Sequence, residues 1–363
     1  MLLLPLYLNY LGASRAEIGA AMAMASIGGL LGRPLVGWGL DVVGRKPVLV
    51  VGTLLLTLGM CLVAAITTMG PLVYGMRILV GLGVGTLFTG YFTLAADLVP
   101  AERRIEGLAL FGISGLVPLA VNPLAPALGF EPADLRFFFP LMGIGILSSL
   151  LFLWGVPDKG EERSPEDVTL AKAMQALRVR AMVPVWTATF VFAGLVAVFM
   201  SFVTVAGEAR NVGNPAAVWF AYAGGAAFVR LFAAKLPERV GPTQVGIFSL
   251  ALYSLGFVIA ADAVTTWGFV AAGVFAGIGH GYCFPVLSGQ VVTRSPIALR
   301  GVALAAFMGL WEVARLLLAP SFGALADMTG DGTMMRAAAL TGVVGVVLWF
   351  VLDRMLPVHT QDI

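Results

Sequence analysis

At 363 residues the chain is 59% hydrophobic and only 12% charged, with a mean hydropathy of +0.95. A water-soluble protein carries about twice that share of charge. Bilayer-length apolar runs recur throughout, so composition excludes a soluble enzyme and implies a polytopic helical membrane protein. The formal net charge of +2 points to no particular partner, and no nucleic acid is expected. Both cysteines, Cys61 and Cys283, sit in apolar runs and read as packed thiols rather than a disulfide. There is no Cys/His cluster for a metal, no Gly-rich loop with a Lys for a nucleotide phosphate, and no room for an ATPase domain. Enzymatic activity and a cofactor are therefore not expected.

In chain order, Met1 to Leu11 is an apolar run of about half a bilayer thickness, which reads as the outer part of a first helix that begins upstream. Complete spans are expected near 16–37, 48–67, 71–96, 102–126, 135–156, 182–206, 214–235, 241–262, 265–293, 298–325 and 333–356. Three prolines, Pro118, Pro123 and Pro126, predict a bent or broken fifth helix. The only long polar segment, Asp158 to Arg180, reads as a linker followed by an amphipathic surface helix. Lys and Arg concentrate at Arg45, Lys46, Arg103, Arg104, the 158–180 linker, Lys235, Arg239, Arg294, Arg300 and Arg354. The opposite loops hold Arg15, Arg136, Arg210 and Arg336. That bias places both chain ends in the cytoplasm.

The chain also repeats itself. A shift of 197 residues carries Gly28, Arg33, Asp41 and Gly44 onto Gly225, Arg230, Glu238 and Gly241. A shift of 196 carries Gly81, Gly83 and Gly85 onto Gly277, Gly279 and Gly281. The same shift carries Pro100 and Arg104 onto Pro296 and Arg300, and three such blocks in one order divide the chain into two parallel six-helix halves. The expected domains are a first bundle over 1–157, a linker over 158–181, a second bundle over 182–356 and a tail over 357–363.

Between the second and third spans stands Gly37-Trp-Gly-Leu-Asp41-Val-Val-Gly44-Arg45-Lys46. Its glycines suggest tight turns and close helix approach. The Gly-x-x-x-Asp-x-x-Gly-Arg-Lys order resembles the loop between helices two and three of the major facilitator superfamily (MFS). Val42 stands where that family usually has a basic residue. The resemblance implies an all-α, twelve-helix fold that works by alternating access. It also implies that Gly37, Asp41, Gly44, Arg45 and Lys46, with Asp97 at the end of helix four, form the cytoplasmic gate.

Arg77-Ile-Leu-Val-Gly81-Leu-Gly83-Val-Gly85 looks like the family motif whose Arg lies in an aqueous cavity and is tied to proton movement. Helix five has the small residues and prolines of MFS antiporters, with Asn122 among them, but not their Gly-x-x-x-Gly-Pro-x-x-Gly-Gly order. His280 and Tyr282 lie on helix ten, a cavity-lining position in the family. Glu312 and Arg315, three residues apart on helix eleven, can face one another; Glu312 is the only carboxylate deep inside a complete span, where charge is costly and usually functional. Arg77, Asn122, His280, Tyr282, Glu312 and Arg315 are thus the expected cavity and proton-coupling residues. Phe88, Tyr91, Phe92, Phe199, Met200 and Phe284 suit loose hydrophobic recognition.

The resulting expectation is a monomeric, inner-membrane secondary transporter exporting a small organic or amphipathic molecule against a proton gradient. Uptake by proton symport and a transport-inactive MFS-fold receptor are the alternatives. Protons, the cargo and the lipid bilayer are the expected partners.

Overall fold

The computed structural model describes residues 2–98, 115, 118–119, 122–156, 175, 178–296 and 299–356, without the side chains of Asp41, Ala96 and Asp97. Among these residues all regular structure is helical: α1 (Leu4–Tyr10), α2 (Arg15–Val42), α3 (Arg45–Leu62), α4 (Pro71–Leu98), α5 (Leu124–Ala127), α6 (Leu135–Leu147), α7 (Val183–Ala209), α8 (Ala217–Phe232), α9 (Pro242–Asp262), α10 (Thr266–Arg294), α11 (Arg300–Thr329) and α12 (Asp331–Met355). Nine of the described helical segments are long and apolar enough to cross a membrane, and α8 is a shorter apolar helix. Most of the expected fifth span and the 158–180 linker helix lie outside the described residues.

Local sequence sets the helix ends. Ser14 and Glu17 form a reciprocal capping box at the start of α2, with Ser14 Oγ accepting from the Glu17 N–H at 3.2 Å and Glu17 Oε2 from the Ser14 N–H at 2.9 Å. Helix α2 runs further than expected, to Val42, so Gly37 and Asp41 are helical rather than in a loop. Only Val43 and Gly44 join α2 to α3. Gly44 has φ +105° and Gly241, its counterpart in the repeat, has φ +111°. A side chain would be strained at either position. The expected sixth span breaks at Ser148 and resumes as a short helix, Ser149–Trp154.

The repeat is visible as packing. Gly28 lies against the backbone of Ile78 and Leu82, and Gly81 against that of Ala25, which closes α2 onto α4. In the second half Gly225 meets Val274 and Ile278, and Gly277 meets Tyr222, closing α8 onto α10 in the same way. Likewise Gly83 abuts Leu56 of α3, and Gly279 abuts Ser249 and Tyr253 of α9. Small residues allow such backbone approach, which carries helix association in a bilayer where lipid removes the hydrophobic drive. Gly37 differs: nothing lies near where its side chain would be, so the expected close approach is absent there.

These contacts give a first prediction. Gly81→Val drives a branched side chain into the Ala25 carbonyl and should cost about 3 kcal/mol or more. It should abolish the monodisperse peak in detergent size-exclusion chromatography, whereas Gly37→Ala should leave both peak and melting temperature unchanged or slightly improved.

The two sets of helices meet chiefly through α2 and α11 and through α1 and α7. Gly19 packs on the backbone of Ala319 and Pro320, and Gly323 on that of Arg15 and Ala16. Helix α7 lies deepest, with most of its residues from Pro184 to Gly207 buried.

Candidate functional site

Glu312 stands where α11 crosses α2, about 18 Å along α11 from Arg300 and about 25 Å from Thr329. Its carboxylate lies between two guanidiniums. Arg33 Nη2 of α2 is 3.8 Å from Oε1, and Arg315 Nη1, one turn along α11, is 3.6 Å from Oε2. Glu312 is 16% exposed, while Arg33 and Arg315 are 35% and 36% exposed. Charge facing lipid is costly, so the exposed parts of these arginines favour contact with water over lipid. Arg33 also donates to the Met308 carbonyl at 3.2 Å. Gly29, one turn before Arg33 on α2, leaves room for the carboxylate: a methyl group there would touch Oε1 at 3.5 Å.

Arg77 is 3% exposed, so it does not snorkel to the surface. It crosses from α4 to donate Nε–H to the Ala21 carbonyl and Nη2–H to the Met22 carbonyl, both at 3.2 Å. It has no carboxylate partner among the described residues, and Arg315 lies within its Coulombic range. Two guanidiniums thus flank the one carboxylate, and Arg77 is held apart on backbone carbonyls.

The residue before Glu312 on α11 belongs to an aromatic cluster. Trp311 precedes Glu312 and packs on Phe284 at 5.4 Å between ring centroids, on Phe192 at 5.5 Å and on His280 at 6.2 Å. His280 Nδ1 is 2.5 Å from the Tyr222 hydroxyl. That bond and the surrounding rings hold the imidazole in place. Phe199, expected in the cavity, is fully buried among Trp219, Tyr222, Tyr253 and Phe257.

Two further expected cavity residues bond backbone carbonyls. Tyr282 is buried and donates to the Ala233 carbonyl at the end of α8, at 3.0 Å. Asn122 donates to the Pro118 carbonyl at 2.6 Å, a bond back onto its own turn. In the expected gate, Arg45 is buried and donates to the Leu40 carbonyl at 2.6 Å, and Lys46 to the Trp154 carbonyl at 3.2 Å. The pairing expected of Asp97 with Arg45, and the side chain of Asp41, fall outside the described residues.

At the opposite face the halves are tied by charge. Asp327 of α11 accepts the Arg15 and Ala16 backbone N–H groups at 2.7 and 2.8 Å, so a carboxylate caps the N-terminus of α2. The Arg15 side chain meets Asp331 through two bonds of 2.9 and 3.0 Å and Asn9 through one of 2.6 Å. Arg33, Tyr222, Asp327 and Asp331 were not among the residues expected from sequence.

The family model of the Major Facilitator Superfamily matches residues 1–317. An uncharacterized MFS-type transporter of Salmonella typhimurium is 26% identical over 98% of this chain and 92% of its own length. The multidrug resistance protein MdtL of Salmonella heidelberg is 26% identical over 92% of this chain and 81% of its own. Among solved structures, a mutant of the nucleoside transporter NupG superposes with a TM-score of 0.83 at 15% identity, covering 97% of this chain and 94% of that one. With its helical architecture, its packed glycine repeat and a family match over most of its length, the chain belongs to the major facilitator superfamily and is a membrane transporter rather than an enzyme.

Proposed function

We propose that the chain is a proton-coupled secondary transporter of a small organic molecule in a bacterial inner membrane, working by alternating access. The observation that carries the reading is Glu312, a carboxylate deep in the bundle, placed where the halves meet and touched from both sides by arginines. Such a group can exchange protons with either side as the halves rock, and its environment changes as they do. The name of the MdtL relatives supports export. Uptake by symport is the second reading, favoured by the guanidiniums that flank Glu312. The test is accumulation of compounds from a cell extract by proteoliposomes with an imposed pH gradient. A compound accumulated only with both protein and gradient is the expected result. A gradient unaffected by protein and by every compound would instead favour a transport-inactive receptor.

The face bearing Arg45, Lys46, Lys235, Arg239, Arg294, Arg300 and Arg354 is assigned to the cytoplasm on its excess of basic residues. On that assignment the Arg15 face, tied by charge here, is the outer one. Val264 and Val240 are exposed at opposite faces. Single cysteines there, with Cys61 and Cys283 replaced, should label oppositely with a membrane-impermeant thiol reagent. Position 264 should react in intact cells and position 240 only after permeabilisation; the reverse would overturn the orientation.

A further inference from the structure

We infer that Arg33 and Arg315 together form the binding site for the carboxylate of an anionic organic cargo, and that Glu312 occupies this site when no cargo is bound. The inference rests on the transporter reading above and adds the charge of what is carried.

Three observations lead to it. First, two guanidiniums flank one carboxylate and the buried Arg77 has no carboxylate partner among the described residues, so positive charge is in excess at a depth where unpaired charge is costly. Second, Glu312 is held loosely. Its contacts of 3.6 and 3.8 Å are longer than charge-assisted hydrogen bonds, and each guanidinium has five N–H donors to satisfy. Third, two buried N–H donors here have no acceptor, Arg33 Nε and Trp311 Nε1. A site with donors in excess suits an acceptor-rich anion. Trp311, the residue before Glu312, packs with Phe284, Phe307 and His280 in a ring cluster that suits an apolar or aromatic body.

The arrangement fixes the sign of coupling. Ionised Glu312 competes with a cargo carboxylate for the same guanidiniums, and protonation removes the competitor. Proton and anion then bind together, which is the thermodynamics of symport and weighs towards uptake. A cationic cargo would bind ionised Glu312 and expel the proton, as antiport requires. Other groups packed against α11 leave the argument intact. On α10 His280 is engaged by Tyr222, α7 has no charged residue between Val183 and Gly207, and on α12 the charged residues Asp331, Arg336, Asp353 and Arg354 lie towards its ends.

The test is binding of a matched set of probes, 2-naphthoate, 2-naphthamide and 2-naphthylmethylamine, to the purified full chain between about pH 5 and 8. Naphthoate should bind more tightly at low pH. In Glu312→Gln it should bind about tenfold tighter than in wild type at high pH and lose its pH dependence. In Arg33→Gln and Arg315→Gln it should bind about tenfold more weakly or worse, with Arg33→Lys recovering part of the loss. Melting curves without probe identify any variant that has failed to fold. Naphthoate binding that ignores both arginines, or no naphthoate binding even to Glu312→Gln, would overturn the inference. Preferential binding of the amine would overturn it while leaving the transporter reading, and its export form, in place.

Discussion

Glu312→Gln should reduce gradient-driven transport to the rate of empty liposomes, while the protein folds and still exchanges cargo in counterflow. Gln keeps the size of the side chain and removes the proton that can be carried. Folding should survive, because Arg33 and Arg315 are each about a third exposed and water can solvate the charge left uncovered. A purely structural role predicts otherwise. If Glu312 only balances charge, removing its partners as well should restore transport. The structure supplies two direct partners, so the decisive variant is Glu312→Gln with both Arg33→Met and Arg315→Met. Recovery of gradient-driven transport in that triple variant would remove Glu312 from the coupling mechanism.

Arg15→Gln combined with Asp327→Asn should loosen the closure at the Arg15 face. The pair removes the two Arg15–Asp331 bonds and the charge that caps the N-terminus of α2. Hydrogen bonds to charged groups contribute roughly 1.5–3 kcal/mol each when sheltered. Arg15 and Asp331 are only 15% and 13% exposed, so the loss after partial solvation should be about 2 kcal/mol. That corresponds to roughly thirty-fold more opening. Hydrogen exchange should report it as faster amide exchange in the first two turns of α2 and the last two of α11, with α9 and α10 unchanged. Unchanged exchange at both ends would mean that the glycine contacts of Gly19 and Gly323 alone hold the face shut.

The apolar runs made the helices legible and the repeated glycines marked where backbones approach closely, because bilayer thickness and close approach act through local sequence. Arg33 was harder. It appeared only as a repeat partner of Arg230, and nothing in one sequence says that α2 crosses α11 there. The available signal was a cation inside an apolar span, which is functional as often as a carboxylate is. His280 and Tyr282 could have been told apart from sequence, since two residues turn a helix by about 200° and place them on different faces. Asn122 follows the tendency of Asn to bond its own turn. The latch of Arg15 with Asp327 and Asp331 joins residues more than three hundred positions apart, so only the tertiary fold brings it into view.

Alternating access coupled to protonation is best tested by electron–electron distance measurements on spin labels across both faces. Leu72 with Val264 reports one face and Val43 with Val240 the other; all four are exposed. Lowering the pH, or replacing Glu312 by Gln, should shift the two distance distributions in opposite senses, one widening as the other narrows. Distances that stay fixed, or that widen together, would contradict a protonation-driven rocking of the two halves.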